Sequence, residues 1–422
     1  MQHGQARLVL EAGLEAMRVA GYLKDRRAVR IDSTHVLAEL AAMSRMECVR
    51  ETLRLALEFL AAWGGTAAWE PWDSRYADRH PAELRGATVP HLQVTMAQAG
   101  ADIRAVLARV AELGGGAAQA DPIRLLQRVF SEQFQETADQ SLTQRPSAPA
   151  GAVQNPHDPE AQWCTKKSLG KEGWVGYKVQ LCETAAESPR AKREPTEAVI
   201  TAVVTQPATT GDHGSLEPVL AAHIASALPA PETVFADAGY VSAPALERAD
   251  NQGYELCGPI GAPPHSAHRF GSDTFDVDIP QRRAICPAGN SSGECSCIHE
   301  AGREGGPYYY FAWARTDCAA CPLAIQCLSK KKRQPFRTLQ VGGKHMLVQA
   351  RRKLCRTPAY QERMRRRAGI EGTNSEVKRR YGIRKCRYRG LAKTNVQMHF
   401  ASAACNLQRW AARLCWLANR ST

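Results

Sequence analysis

The chain has 422 residues, of which 44% are hydrophobic, with a formal net charge of +13 and 14 cysteines. That length accommodates two or three domains, and the apolar fraction is that of a globular protein with a full core, which excludes a disordered chain. No run of about 18 apolar residues occurs, and the N-terminal MQHGQARLVLEAGLEAMR lacks the charged-then-apolar layout of a signal peptide; a cytoplasmic protein is expected, with reduced cysteines that serve burial or metal rather than disulfides.

Residues 1–36 read as a helix followed by AVRIDSTHV (28–36), which alternates like a short strand; Asp32 closes its strand-like VRID, ahead of Ser33, Thr34 and a helix. Apolar residues at helical spacing continue through 37–140, and the polar, Pro-containing 141–160 reads as a linker or long loop. From 161 to 260 the pattern changes: GYKVQLCE and EAVITAVVTQPA read as paired strands, followed by helix, strand ETVFADAGY, helix and strand YELCGPI. Asp212 or Ser215 would cap the helix of GDHGSLEPVLAAHIASAL. This order predicts an α/β fold, a mixed sheet with helices on its faces. Residues 261–345 interrupt it with cysteine clusters and the aromatic run YYYFAW, and 346–422 return to helix.

Charge is unevenly distributed. Residues 330–393 hold 22 Lys and Arg against three Glu, a net +19 that leaves the rest of the chain at −6. A mildly acidic body with one concentrated basic segment suggests a polyanion held at a particular place. Within that segment, RRRAGIEGTNSEVKRRYGIRKCRYRG reads as a basic helix in which Glu371 stands out.

Asp32, Asp237 and Glu371 are the carboxylates that sheet geometry would gather, since strand ends with a helix across them form a usual ligand site. Each also has a plainer explanation: Asp32 as a helix cap, Asp237 as a turn residue beside Gly239, Glu371 as a surface partner of Arg367. A carboxylate ringed by guanidinium groups stays ionised and makes a poor general acid but a good hard-oxygen ligand for Mg²⁺ or Mn²⁺, while the surrounding cations hold phosphates. Three such carboxylates could seat two ions in an in-line displacement at phosphorus.

These motifs resemble those of the DDE transposases of bacterial insertion sequences, in the ribonuclease-H-like superfamily, and in particular the branch with a large helical insertion after the first catalytic strand. RIDSTHV is similar to the first motif and supplies Asp32; FADAGY is similar to the second, A-D-x-G-Y, and supplies Asp237. The third motif, Y-x2-R-x3-E-x6-K, is matched by Arg367, Glu371 and Lys378, with Met364 in place of the Tyr. DPEAQWC followed by GYK also fits the family pattern, which makes Asp158 a rival for the first catalytic Asp; Asp212 would be a cap near the site. The resemblance implies a ribonuclease-H-like mixed sheet with a helical insertion over 37–140 and a Cys-rich insertion over 261–345, before the last catalytic helix. It implies metal-dependent cleavage of element ends and strand transfer, with Asp32, Asp237 and Glu371 holding Mg²⁺ or Mn²⁺. Arg367, Lys378, Arg379, Arg380, Arg384 and Lys385 would grip double-stranded DNA, in a nucleoid-associated homodimer with no membrane contact. Such proteins usually carry about a hundred residues of DNA-binding helices before the first strand, so a truncated or mis-started product is expected. The alternatives are an inactive DNA-binding remnant, or a nuclease of the same fold acting on RNA or damaged DNA.

Cys318-x2-Cys321-x5-Cys327 follows Cys286, with Cys295, Cys297 and His299 between. Zinc needs four soft ligands in tetrahedral reach, and Cys286, Cys318, Cys321 and Cys327 are the candidate quartet; the alternative is reduced thiols packing a small subdomain.

Overall fold

The computed structural model describes residues 5–23, 27–65, 68–70, 72–79, 81–84, 86–138, 141–165, 173–186, 194–261, 269–299, 306–328 and 336–420. The basic residues 330–333 lie outside them. In chain order the main elements are α1 (Leu8–Val19), β1 (Ala28–Leu37), α2 (Arg45–Gly64), α3 (Val89–Leu113) and α4 (Asp121–Gln133). There follow β2 (Trp174–Thr184), β3 (Ile200–Pro207), α5 (Leu216–Ala225), β4 (Thr233–Phe235), α6 (Ala243–Asn251) and β5 (Glu255–Cys257). The C-terminal part holds α7 (His345–Cys355), α8 (Pro358–Met364), α9 (Gly369–Arg380) and α10 (Leu391–Ala418).

The fold is α/β around one mixed sheet. Its strands run β3-β2-β1-β4-β5, with β1–β2 and β2–β3 antiparallel and β1–β4 and β4–β5 parallel; a short strand, Gln162–Cys164, pairs with the start of β2. Alternation along β1 sends Val29 and Ile31 to one face, where they meet Leu216, Val219 and Leu246 of α5 and α6. Val36 points to the other face, against Leu14, Ile370, Val377 and Met398 of α1, α9 and α10. Helices α2, α3 and α4 build a separate core from Val49, Leu53, Ile103, Val106, Leu126 and Val129.

Two sequence expectations change. The strand read over 28–36 is present and runs to Leu37, but Asp32 is not its end: Ser33–Leu37 pair with Gly176–Gln180, and helix starts only at Arg45, where Ser44 and Glu47 form a capping box. Asp32 therefore sits inside a strand and caps nothing. Nor is the basic segment one helix. A 3₁₀ turn over Arg365–Ala368 leads into α9, which stops before Gly382 at a φ of +71°. Beyond it the chain docks on the end of β1, Leu37 N donating to Arg384 O (3.0 Å) and Cys386 N to Leu37 O (2.8 Å).

The Cys-rich region contains a three-stranded antiparallel sheet, Glu294–Ile298, Tyr308–Ala312 and Thr338–Gly342, with its own core around Phe275, Phe311 and Trp313. Among the described residues no helix is long and apolar enough to cross a membrane.

Candidate active site

Asp32 lies within β1 and Asp237 two residues beyond the end of the parallel neighbour β4, and their carboxylates are close enough to repel. Asp32 is pushed up to about 6 from 3.8, mainly by burial, with the Asp237 charge adding to it; the Ser33 amide, Arg367 and Asn374 oppose the rise. Asp32 Oδ1 accepts from Ser33 N at 2.8 Å, and Asp237 Oδ1 accepts from Gly239 N at 2.8 Å. Gly239 is small for a reason of space: a Cβ there would stand 3.0 Å from Asp237 Oδ1 and 3.2 Å from Asp212 Oδ2. The Asp32, Asp237 and Asp212 charges together reinforce burial in raising the Tyr240 hydroxyl, which donates to Gln180 Oε1.

Asp212 is thus in the site without capping a helix. Its Oδ1 accepts from Lys178 Nζ (3.3 Å) and Gln180 Nε2 (3.2 Å), and this cation draws the carboxylate onto the sheet; α5 has no side-chain cap from either Asp212 or Ser215. Asp158 has other work. It is 1% exposed, accepts from Tyr177 OH at 2.5 Å and Gly390 N at 3.0 Å, and so ties the start of α10 to β2.

Helix α9 lies against this edge. Asn374 Nδ2 donates to Asp32 Oδ2 at 2.9 Å, while its amide oxygen is buried without a partner. Glu371, one turn earlier, is 58% exposed and paired with Arg367 at 2.7 Å, the same Arg367 whose charge acts on Asp32. Among the described residues no three His, Cys, Asp or Glu side chains are grouped so as to hold a metal ion.

What fixes α9 is a buried ionic clamp. Glu183 of β2, fully buried, accepts from Arg30 Nε (2.6 Å), Arg409 Nη1 (3.2 Å) and Thr373 Oγ1 (2.6 Å); Arg409 also pairs with Glu376 at 2.8 Å. Two cations thus face two anions, from β1, β2, α9 and α10. Gly369 is required by the same packing, since a Cβ there would meet the Arg30 guanidinium at 2.0 Å. Reading the sequence missed Asn374, Glu183 and Arg409; the available signals were a Glu inside an otherwise apolar strand and an Asn one turn after Glu371.

The basic residues divide by role. Lys378, Arg379 and Arg384 line a groove of about 620 Å³ with His35, Leu37 and Ser375, beside the strand that carries Asp32. Arg380 turns toward Glu376 (3.8 Å), and Lys385 is exposed at the bridge to Leu37. Arg366 is structural: it donates to Ala185 O at 2.7 Å and covers the Phe235 ring.

Carboxylates gathered within β1 and just past the end of β4, beneath a helix that ends in Lys378, Arg379 and Arg380, make a site suited to a polyanion. Residues 285–411 match the family model described as Transposase DDE domain, a stretch that includes Glu371, α9 and the groove cations but not Asp32 or Asp237. The resemblance drawn from the sequence is borne out there, and the match supports a DDE transposase of insertion-sequence type, a family that acts on DNA and typically uses a divalent metal. No curated protein and no solved structure matches the chain.

Proposed function

We propose that this protein is a DNA transposase that cuts the ends of its element and joins them to target DNA, with Asp32, Asp237 and Glu371 as its catalytic carboxylates. The observation that carries this is the Asp32–Asp237 pair. Two carboxylates share one edge, one of them raised to about 6, beneath the helix that bears Glu371 and beside a cationic groove. Like charges held together in this way are relieved by a cation, so the residues present suit a divalent ion. Glu371 is 58% exposed and held by Arg367, so this role requires it to leave Arg367 and turn to the two aspartates. When bound, Mg²⁺ or Mn²⁺ would stabilise the attacking and leaving oxygens at phosphorus. The chain's own part is to hold the strand: Lys378, Arg379 and Arg384 along the groove, with Arg367, Arg380 and Lys385 at its margins, positioning one phosphodiester at the acids for water and later for the freed 3′-hydroxyl.

The strand order and mixed directions support a ribonuclease-H-like core in which 37–140 and 261–345 are insertions and 141–160 is the connection. A homodimer on paired DNA ends, in the nucleoid, follows from the same reading. The second reading, a DNA-binding remnant without activity, draws on Glu371 facing Arg367 rather than Asp32. Purified protein, a duplex carrying the element's ends, and Mg²⁺ with or without chelator separate the two: site-specific nicking that stops with chelator supports the transposase, and binding without any nicking overturns it.

A further inference from the structure

Four of the seven cysteines and histidines singled out in the insertion are neighbours of one another, around Cys327. Cys286, Cys318 and Cys327 pack against one core, that of Phe275, Phe311 and Trp313. Each belongs to a short, tightly bonded turn. Cys286 starts a Cys-Pro-Ala-Gly-Asn turn closed by Gly289 N to Cys286 O (2.8 Å) and Cys286 N to Asn290 O (2.9 Å), with Gly289 at a φ of +82° that a side chain would resist. Cys321 N donates to Cys318 O (3.4 Å), and Cys327 closes the helix Ala324–Cys327. Burial raises the Cys327 thiol, and its thiol neighbours Cys318, Cys286 and Cys321 add to that against the Arg337 charge. Cys295 touches the same core from the edge strand, where it and Cys297 are neighbours of Tyr309.

Arg337 supplies the independent sign. Its backbone N–H donates to Cys318 Sγ at 3.4 Å, its guanidinium donates to Cys327 O and Phe270 O, and its Nε is buried with no acceptor. Among the described residues no carboxylate is paired with it. The half-buried guanidinium also faces the Phe275 ring at 5.2 Å, yet its buried Nε–H is left unmet, and an anion would satisfy it; the Cys318 and Cys327 thiols lie beside it.

We propose that Cys286, Cys318, Cys321 and Cys327 bind one structural Zn²⁺ as thiolates, with Arg337 offsetting the net negative charge of the four-sulfur centre and donating to its sulfurs. The four half-buried thiols do not stand as a metal-holding group without the ion, so binding would have to draw the sulfurs together. On binding, each thiol's proton passes to solvent. The metal would tie the Cys286 turn to the 318–327 helices and so hold the three-stranded sheet closed.

The test uses the full chain purified without added metal. About one zinc per chain is expected, with four thiols shielded from a thiol reagent until a chelator removes the metal. Replacing it with Co²⁺ should give the intense sulfur-to-cobalt absorption of a tetrahedral thiolate site. Cys321→Ser should lose the zinc, and Cys295→Ser and Cys297→Ser should keep it. Less than about half an equivalent of zinc together with no cobalt spectrum overturns the site, as does zinc that follows Cys295 and Cys297. These readouts do not depend on nicking, so they stand or fall separately from the transposase assignment.

Discussion

Removing the charge of Glu183 should loosen α9 more than any surface change on that helix. Glu183 is 0% exposed and the side chains of Arg30 and Arg409 are 7% and 6% exposed, so all three ions are out of water. Glu183→Gln leaves two buried guanidiniums facing the single charge of Glu376, itself 22% exposed. Breaking a buried pair by deleting one partner costs about 3–5 kcal/mol, a large share of the roughly 5–15 kcal/mol that holds a typical domain. The expected outcome is a urea midpoint lowered to match, with amide protection lost first along α9. Replacing the whole group, Arg30→Met with Glu183→Leu and Arg409→Met, should recover much of the stability, because well-packed apolar residues can substitute for buried ion pairs. If Glu183→Gln unfolds within about 1 kcal/mol of the parent, the clamp is not what holds this helix.

Other consequences concern the site. Glu371→Ala should lower Mg²⁺-dependent nicking by at least about 100-fold while leaving DNA affinity near that of the parent, measured by filter binding, because the groove cations are untouched. Asp32 keeps its proton to about pH 6 in the folded protein, against 3.8 ordinarily. Without divalent ions, stability should therefore fall as pH rises across that window, and Asp32→Asn should flatten the melting temperature there. Cation uptake should strengthen through the same range, since proton and metal compete for one carboxylate. Lys378→Ala and Arg384→Ala should each reduce the slope of log affinity against log salt by about 1, whereas Arg366→Ala should lower stability and leave that slope unchanged.

Much of the core was legible because its strands announce themselves chemically. Val and Ile crowd β2 and β3, and FADAGY shows a strand breaking into a turn at Asp237. β1 was legible over 28–36 from its Val29 and Ile31, but Asp32 looked like its end because Ser33, Thr34 and His35 are polar; their pairing with Gly176–Gln180 keeps them in the strand. Asp212 resembled a cap because it begins a helix; its partner, Lys178, lies on another strand. The clamp was hard to see for the same reason: Arg30, Glu183 and Arg409 are far apart in sequence, and the one local sign of burial was Glu183 standing in a strand. Glu371 and Arg367 were legible as a pair at helical spacing, and they are one.

The convergence of the three carboxylates on one cation can be read directly from where a bound metal cuts the chain. Fe²⁺ loaded in place of Mg²⁺, with ascorbate and peroxide, should cleave the backbone near Asp32, Asp237 and Glu371 together, and excess Mg²⁺ should suppress all three cuts. Scission beside Asp32 and Asp237 with none near Glu371 would contradict the shared site, and scission at none of them would remove it.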